Sequence, residues 1–411
     1  MPELDVYFRN KKVGVLREKN SRLSFKYLPE ATEAISVNLP LQEGFFDDKT
    51  TRGFFDNLLP EGDMREAVAR LKQVSSRNPY ALLREIGGEC AGAVALYPQG
   101  VIPAVEADIL NPISEDKIAD ILNKQATQPL LTGENIRLSL AGAQQKMAVF
   151  MLPKFGCKPN IYLPSGKYVS THIIKPQSLY FPNIIFNEHF CMQLARYIGL
   201  PAACSSIMRF NDIEAYVVRR FDRIYNVKDK DIKRIHQEDF CQGLGMPNRK
   251  YQKEGGPSIK ICFNFIKDKD FDKKVYFQIL LLKTVIFNFI IGNSDAHGKN
   301  FSFLHTEKGY IMSPLYDLVS TQVYEALSTD MAMSIGGEYN PDRISKSNFV
   351  SLAKDLNISA SMLLKHVDDV VNSIQKAAPI LLQQFHEKSW NIPEIEKLSE
   401  IINKRIDQLR D

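Results

Sequence analysis

In the run IIGNSDAHGKNFSF, Asp295, His297, Lys299 and Asn300 fall into one short polar loop. These residue types move protons and hold metal–phosphate groups. A run rich in Gly and Asn is ordinarily just a turn. The spacing here carries more: Asp295 and Asn300 stand at the D-x-x-x-x-N interval of a kinase catalytic loop. In such loops the Asp accepts the proton of the substrate hydroxyl and the Asn holds magnesium. Downstream, the apolar run SPLYDL ends on Asp317, a second carboxylate for the same ion. Magnesium takes a few carboxylate or amide oxygens together with phosphate oxygens and water, and Asn300 with Asp317 would supply that set. Two unrelated surface turns would give the same letters, since short motifs recur by chance.

Two further segments bear on phosphate chemistry. RLSLAGAQQKMAVF reads as a strand, a small-residue turn Ala141-Gly142-Ala143 and a second strand, and small side chains let backbone N–H groups approach phosphate oxygens. One glycine is far from a G-x-G-x-x-G or Walker loop, and alone it is more often an ordinary hairpin turn. Ser139, just before it, offers a hydroxyl that could receive a phosphate, although most serines near turns bond backbone. In THIIKPQ, Lys175 interrupts an isoleucine strand. Such a lysine is usually a solvated strand end, but in a kinase lobe it reaches the ATP phosphates and a helix glutamate orients it. Glu188, opening the helix NEHFCMQL, is the candidate partner.

The elements that must position these residues follow an α+β plan. Residues 1–105 alternate short β-rich runs (LDVYFRN, KVGVL, AISVNLPL) with a helical patch from Met64 to Leu71, which suggests a small module of its own. Residues 106–222 carry the strands KMAVFML, THIIKPQ and EAYVVRRFDR with one inserted helix, a plan suited to clasping a nucleotide. Residues 223–411 are mainly helical: VYFQILLLKTVIFNFIIG, NFVSLAKDLN, SMLLKHVDDVVNSIQKAAPILLQQF and IEKLSEIINKRIDQL all space their apolar residues helically. A β-rich lobe followed by a helical lobe is a bilobal plan.

Bulk properties exclude several classes. With 411 residues, 44% of them hydrophobic and 24% charged, the chain can bury a large core, so disorder and fibrous classes are out. A net charge of +4 gives no argument for nucleic-acid binding by this chain alone. The bases Arg343 and Lys346 in DRISKSNF read as solvated. The six cysteines lack C-x-x-C pairing and read as buried, reduced thiols. The charged start lacks the apolar stretch of a secretory signal, and Val275 to Gly292 contains Gln278, Lys283 and Asn288, so it reads as a buried helix rather than a membrane span. A cytoplasmic protein without membrane contact is expected.

In order, the chain carries FFDNLLPEGD (from Phe54), EIGGECAGAVAL (Glu85), SLAGAQQK (Ser139), THIIKP (Thr171), VVRRFDR (Val217), HQEDFCQ (His236), GNSDAHGKNF (Gly292) and PLYDL (Pro314). Over nearly its full length it resembles the HipA-type serine/threonine protein kinase toxins of bacterial toxin–antitoxin systems. The resemblance implies a bilobal protein-kinase-like fold using ATP and Mg2+. It makes Asp295 the catalytic base and Asn300 and Asp317 the magnesium ligands. It places Ala141, Gly142, Ala143, Gln144, Gln145, Lys146 and Lys175 on the ATP phosphates, and His297, Gly298, Lys299, Asn300, Tyr316 and Asp317 around the nucleotide. Arg219, Arg220 and Phe221 match the interlobe hinge, whose backbone would bond the adenine. The family pattern has an acidic residue where this chain has Arg219, a change that leaves a backbone contact intact. H-R-D before the loop and D-F-G after it, the marks of eukaryotic-type kinases, are absent, and no lysine stands two positions after Asp295.

Ser139 matches the position at which family members phosphorylate themselves; two negative charges beside a phosphate-binding loop would switch the enzyme off. The resemblance further implies a helix-turn-helix antitoxin, expected as a dimer, that meets the N-terminal module and carries the contact with operator DNA. The implied protein substrate is an aminoacyl-tRNA synthetase, with the glutamyl enzyme first. A small-molecule kinase, or a kinase-like corepressor without catalysis, would use the same two-lobed frame. The joint presence of Lys175, Asp295, Asn300 and Asp317 argues against the corepressor.

Overall fold

The computed structural model describes residues 3–103, 112–127, 139, 144–152, 158–166, 168–226, 231–247 and 249–410, with the backbone alone for 125–127. Ala141, Gly142, Ala143 and Cys157, and the expected boundary near residue 105, lie outside them. The chain divides into two compact units, residues 1–176 with 208–248 and residues 177–207 with 249–411.

In the first unit, alternating burial builds a four-stranded antiparallel sheet from β1 (Glu3–Phe8), β2 (Lys11–Lys19), β3 (Arg22–Tyr27) and β4 (Val94–Pro98), in the order β3-β2-β1-β4. Both hairpins close through two residues with positive φ, Arg9 and Asn10 (49° and 66°) and Asn20 and Ser21 (53° and 60°). That is the turn type whose twist matches paired strands. The helices Asp48–Phe55 and Pro79–Ile86 start on side-chain caps, Asp47 accepting the Thr50 N–H and Asn78 the Ala81 N–H. They pack Phe54, Phe55 and Leu83 against Leu4, Leu16, Phe25 and Leu96.

AISVNLPL, expected as a strand, is instead a turn wrapped around one phenol. Ile35 N–H donates to the Tyr27 hydroxyl at 2.8 Å, and that hydroxyl donates to the Leu39 carbonyl at 2.6 Å. Ile35 and Leu39 are the buried apolar residues of this turn. The strand is RLSFKY, just before it.

The three expected strands form as β5 (Met147–Leu152), β7 (His172–Pro176) and β9 (Ile213–Arg219), and β6 (Asn160–Tyr162) and β8 (Ser205–Phe210), not expected, complete the sheet in the order β6-β5-β7-β9-β8. The helix Glu115–Thr127 lays Ile118 and Leu122 on Met147, Val149, Ile174 and Val217. A buried ion cluster joins this sheet to the N-terminal module. Asp222 accepts from Arg220 and Arg223, each at 2.8 Å, and from the Gly92 N–H at 2.8 Å. Glu89 accepts from the Ser170 N–H at 3.0 Å and hydroxyl at 2.6 Å and lies 3.3 Å from Arg220. Gly92 has φ +73°, and a Cβ there would stand 2.8 Å from the Gln237 nitrogen. This is the structural content of the EIGGECAGAVAL segment.

The second unit is mainly helical: Ile184–Tyr197, Ile259–Asp268, Lys274–Ile290, Lys346–Leu356, Ala360–Glu387 and Pro393–Gln408, with the hairpin Ser302–Thr306 and Gly309–Met312. Two segments fall on other sides of the unit division than the sequence-based boundary at 222 places them. The helix Ile184–Tyr197 belongs with the helical unit, where it packs on Ala360–Glu387 and Pro393–Gln408. Residues 223–248 belong with the first, where Tyr225 and Ile232 pack near Phe150. Among the described residues no helix is long and apolar enough to cross a membrane. Cys90, Cys191, Cys241 and Cys262 are free and buried; Cys204 is exposed, against expectation, and its sulfur lies 3.1 Å from Arg196 Nη1.

Burial alone would raise the Asp222 pKa, but Arg220 and Arg223 outweigh it and hold the carboxyl well below its ordinary value. Its stabilising contribution is therefore complete above the unfolded pKa of about 3.9 and is lost as pH falls below that. Asp222→Asn leaves buried arginines uncompensated and should cost about 3–5 kcal/mol at pH 7. Urea unfolding should show that cost, and the gap to the parent should narrow at pH 3.

Candidate active site

The helix Lys274–Ile290 delivers the chain to the polar loop, and Gly292, at φ +70°, turns it off the helix axis. A Cβ at this position would lie 2.9 Å from Ile401 Cγ2, so the turn demands glycine. Asn293 then ties back, its N–H donating to the Asn288 carbonyl and its side-chain amide to Asn288 Oδ1, both at 2.9 Å. Its own Oδ1 accepts the Asp295 N–H at 3.1 Å. On the other side, Ser294 N–H donates to Thr321 Oγ1 at 2.8 Å, the Ser294 hydroxyl donates to the Thr329 carbonyl at 2.7 Å, and Gln322 N–H donates to the Gly292 carbonyl at 3.1 Å. The backbone around Asp295 is thus held from both flanks.

The Asp295 side chain remains 47% exposed. Its Oδ1 accepts a hydrogen bond from the Tyr251 hydroxyl, and His297 Nε2 lies 3.8 Å from the same oxygen. The rings of Tyr251 and His297 meet edge to face at 5.2 Å. Asp295 Oδ2 has no hydrogen-bond partner among the described residues. His297 and Gly298 are buried, and Gly298–Asn300 is a single 3₁₀ turn whose Gly298 N–H donates to the Lys250 carbonyl at 3.2 Å.

The second expected ligand segment is tied to the same turn. The Tyr316 hydroxyl donates to the Lys299 carbonyl at 2.6 Å and meets the Ser302 hydroxyl at 2.5 Å. Residues 299 and 316 are thereby joined, and each is followed directly by an expected metal ligand, Asn300 and Asp317. Two observations fit a cation there. Asn300 Oδ1 is buried without a hydrogen-bond donor among the described residues, and Asp317 takes a left-handed backbone conformation with φ 52°, rare for a residue with a side chain. An amide oxygen and a carboxylate form the hard oxygen set that magnesium accepts.

The nucleotide-binding candidates of the first unit are placed as follows. Lys175, in β7 and 4% exposed, sits opposite Tyr216, with its Nζ 5.5 Å from the ring centroid. Gln144 and Gln145 are half-buried; Gln144 Nε2 and Gln145 Oε1 have no hydrogen-bond partner among the described residues, and Lys146 is buried. Ser139 is fully buried: its hydroxyl donates to the Leu58 carbonyl at 2.7 Å and its N–H to the Glu89 carbonyl at 2.8 Å. At the hinge segment, Arg219 is exposed and Phe221 half-buried, while the Arg220 N–H is already committed to the Thr171 carbonyl at 2.9 Å. Burial, helped by Arg219 opposite, pushes the His172 imidazole down to about 4, so this ring is neutral at physiological pH. In the second unit, Glu188 is buried in the helix Ile184–Tyr197, and Lys346 lies 3.8 Å from Asp368.

Sequence reasoning missed Tyr251 entirely. It lies 44 residues before Asp295 in the polar run PNRKYQKEGG, and nothing local marks it. The supports Thr321 and Gln322 were equally silent.

A family model described as the HipA-like C-terminal domain matches residues 138–378, and another described as the HipA N-terminal domain matches residues 4–97. The chain belongs to the HipA family. A protein of Sinorhizobium fredii described as a putative kinase is 37% identical over 393 residues, covering 92% of each chain. The serine/threonine-protein kinase toxin HipA of Shewanella oneidensis is 30% identical over 362 residues, covering 84% of this chain and 79% of the relative. Among solved structures, HipA of the Shewanella oneidensis MR-1 toxin–antitoxin system, in complex with HipB and its operator DNA, superposes with a TM-score of 0.83 at 26% identity, covering 99% of both chains. The fold is a kinase-like α+β fold, and the protein is a serine/threonine protein kinase of the HipA type.

Tyr316→Phe removes both hydrogen bonds that hold residue 316 to residues 299 and 302. We expect a loss of about 1–3 kcal/mol in urea unfolding, with faster hydrogen exchange of the amides at 299–301.

Proposed function

We propose that this HipA-family kinase is the toxin of a toxin–antitoxin pair and transfers the γ-phosphate of ATP to a serine of an aminoacyl-tRNA synthetase, with the glutamyl enzyme the first candidate. Arrest of translation and growth would follow. The observation that carries the site assignment is the Asp295 loop itself. One carboxylate oxygen is held by Tyr251 and the other is open, on a backbone fixed from two sides, five residues before a buried, donor-less amide oxygen.

In this reading the serine Oγ attacks the γ-phosphorus while its proton passes to Asp295 Oδ2. The bond from the γ-phosphorus to the bridging oxygen breaks, and ADP leaves with that electron pair. Asn300 and Asp317 would hold Mg2+, which when bound neutralises developing charge on the phosphate oxygens. Lys175 and the 141–146 loop take the ATP phosphates, and Glu188 is assigned the role of orienting carboxylate. His297, Gly298, Lys299 and Tyr316 line the nucleotide, and the backbone of residues 219–221 takes the adenine. Ser139 is the proposed site of self-phosphorylation and shut-off. Because the likeness to the Shewanella HipA covers the whole chain, we assign this protein a dimeric helix-turn-helix antitoxin and contact with operator DNA mainly through it. The site of action in this reading is the cytoplasm.

Asp295→Gln should lower phosphotransfer from labelled ATP by about 10²- to 10⁴-fold, with MgATP binding retained by calorimetry. Full activity in that variant would remove the assignment. Phosphoproteomics after brief expression, with the same variant as control, should identify the target as a synthetase serine. Ser139→Ala should bind ATP yet carry no phosphate by intact mass; a stoichiometric phosphate elsewhere would sink the shut-off proposal.

A further inference from the structure

The segment from residue 249 to residue 256 has no role in the chemistry assigned above, yet it is bound to the catalytic loop at more than one point. The Lys250 carbonyl accepts the Gly298 N–H at 3.2 Å. Gln252 is anchored on its other side: its N–H donates to the Ala332 carbonyl at 3.1 Å, its Oε1 accepts the Ser334 N–H at 2.9 Å and its Nε2 donates to the Ser334 hydroxyl at 3.1 Å. Gly256 N–H closes the segment on the Tyr251 carbonyl at 2.9 Å, and a Cβ at Gly256 would come within 2.6 Å of the Arg249 carbonyl oxygen. Tyr251 is therefore carried on a strap fixed on both sides, its ring against His297 and its hydroxyl on Asp295 Oδ1.

We infer that Tyr251 is a positioning residue for phosphotransfer: its hydroxyl fixes the rotation of the Asp295 carboxylate so that Oδ2 faces the incoming serine. The inference rests on Asp295 being the base. A carboxylate that is 47% exposed and attached through two rotatable bonds would otherwise sample many orientations. Each of them except the productive one lowers the rate without weakening nucleotide binding. A phenol is suited to the task because it donates a single hydrogen bond from a rigid ring. The edge contact with His297 sets the direction of that ring.

The test is Tyr251→Phe in the full-length chain, which keeps the ring and removes only the donor. Labelled MgATP is the substrate, read as phosphate incorporated into the chain and phosphate released, over a range of ATP concentrations. We expect the maximal rate to fall about 10- to 100-fold, while the half-saturating ATP concentration stays within about twofold and the melting temperature is unchanged. In an Asp295→Gln background the same change should lower the residual rate no further, because the donor then has no base to orient. An unchanged maximal rate would overturn the inference, as would a loss in rate matched by an equal rise in half-saturating ATP. A variant already unfolded at the assay temperature would assign Tyr251 to the scaffold and overturn it equally. If Asp295→Gln alone keeps full activity, the base assignment has failed; if that variant is dead and Tyr251→Phe is not, only the role of Tyr251 has.

Discussion

The active segment depends on one backbone constraint, the left-handed turn at Gly292. The apolar helix before it is buried along Leu280, Leu281, Ile286, Phe287 and Ile290, so its direction is set by packing. Without a sharp exit the chain would continue along that axis. At Gly292 the chain turns under Ile401 and Gln322 with no room for a side chain, and its carbonyl takes the Gln322 N–H. The bonds that hold the backbone around Asp295 follow from the exit angle set there: Asn293 back to Asn288, Ser294 across to Thr321 and Thr329, Asp295 onto Asn293. The glycine carries no chemistry, yet it decides where the chemistry stands.

The polar loop 292–300 stood out in the sequence as a candidate site because its members are close neighbours in the chain, so residue type and interval were both visible at once. The strands around Lys175 and the long amphipathic helices were legible for a related reason, since their burial repeats with the period of the element. What escaped was whatever depends on partners distant in sequence. Tyr251 meets Asp295 only after folding, and AISVNLPL looked like a strand until the Tyr27 hydroxyl, from a neighbouring element, took up its backbone groups. The unit division moved for the same reason: the helix Ile184–Tyr197 lies among strands in sequence but packs on helices.

The buried cluster of Glu89, Asp222, Arg220 and Arg223 shows how the N-terminal module and the nucleotide-binding sheet are made one piece. Burying these charges is expensive, and the arrangement holds because each carboxylate receives several donors and the arginines also reach the Cys90 and Gly92 carbonyls. Such a junction is unforgiving. It commits the Arg220 side chain to Asp222, Glu89, Ser170 and Cys90, and so ties residues 219–221 to the rest of the first unit.

Ser139 belongs to the same neighbourhood, with its hydroxyl on Leu58 and its amide on Glu89. A hydroxyl shut inside the protein and already donating cannot accept a phosphoryl group where it stands. If it is the acceptor, the segment must first come away from both partners, so the rate of modification is the rate of phosphotransfer multiplied by the fraction of time spent open. The closed state then behaves as a clock. On that proposal, the free energy of two hydrogen bonds to backbone carbonyls and a buried serine would set how long each molecule remains active before it modifies itself.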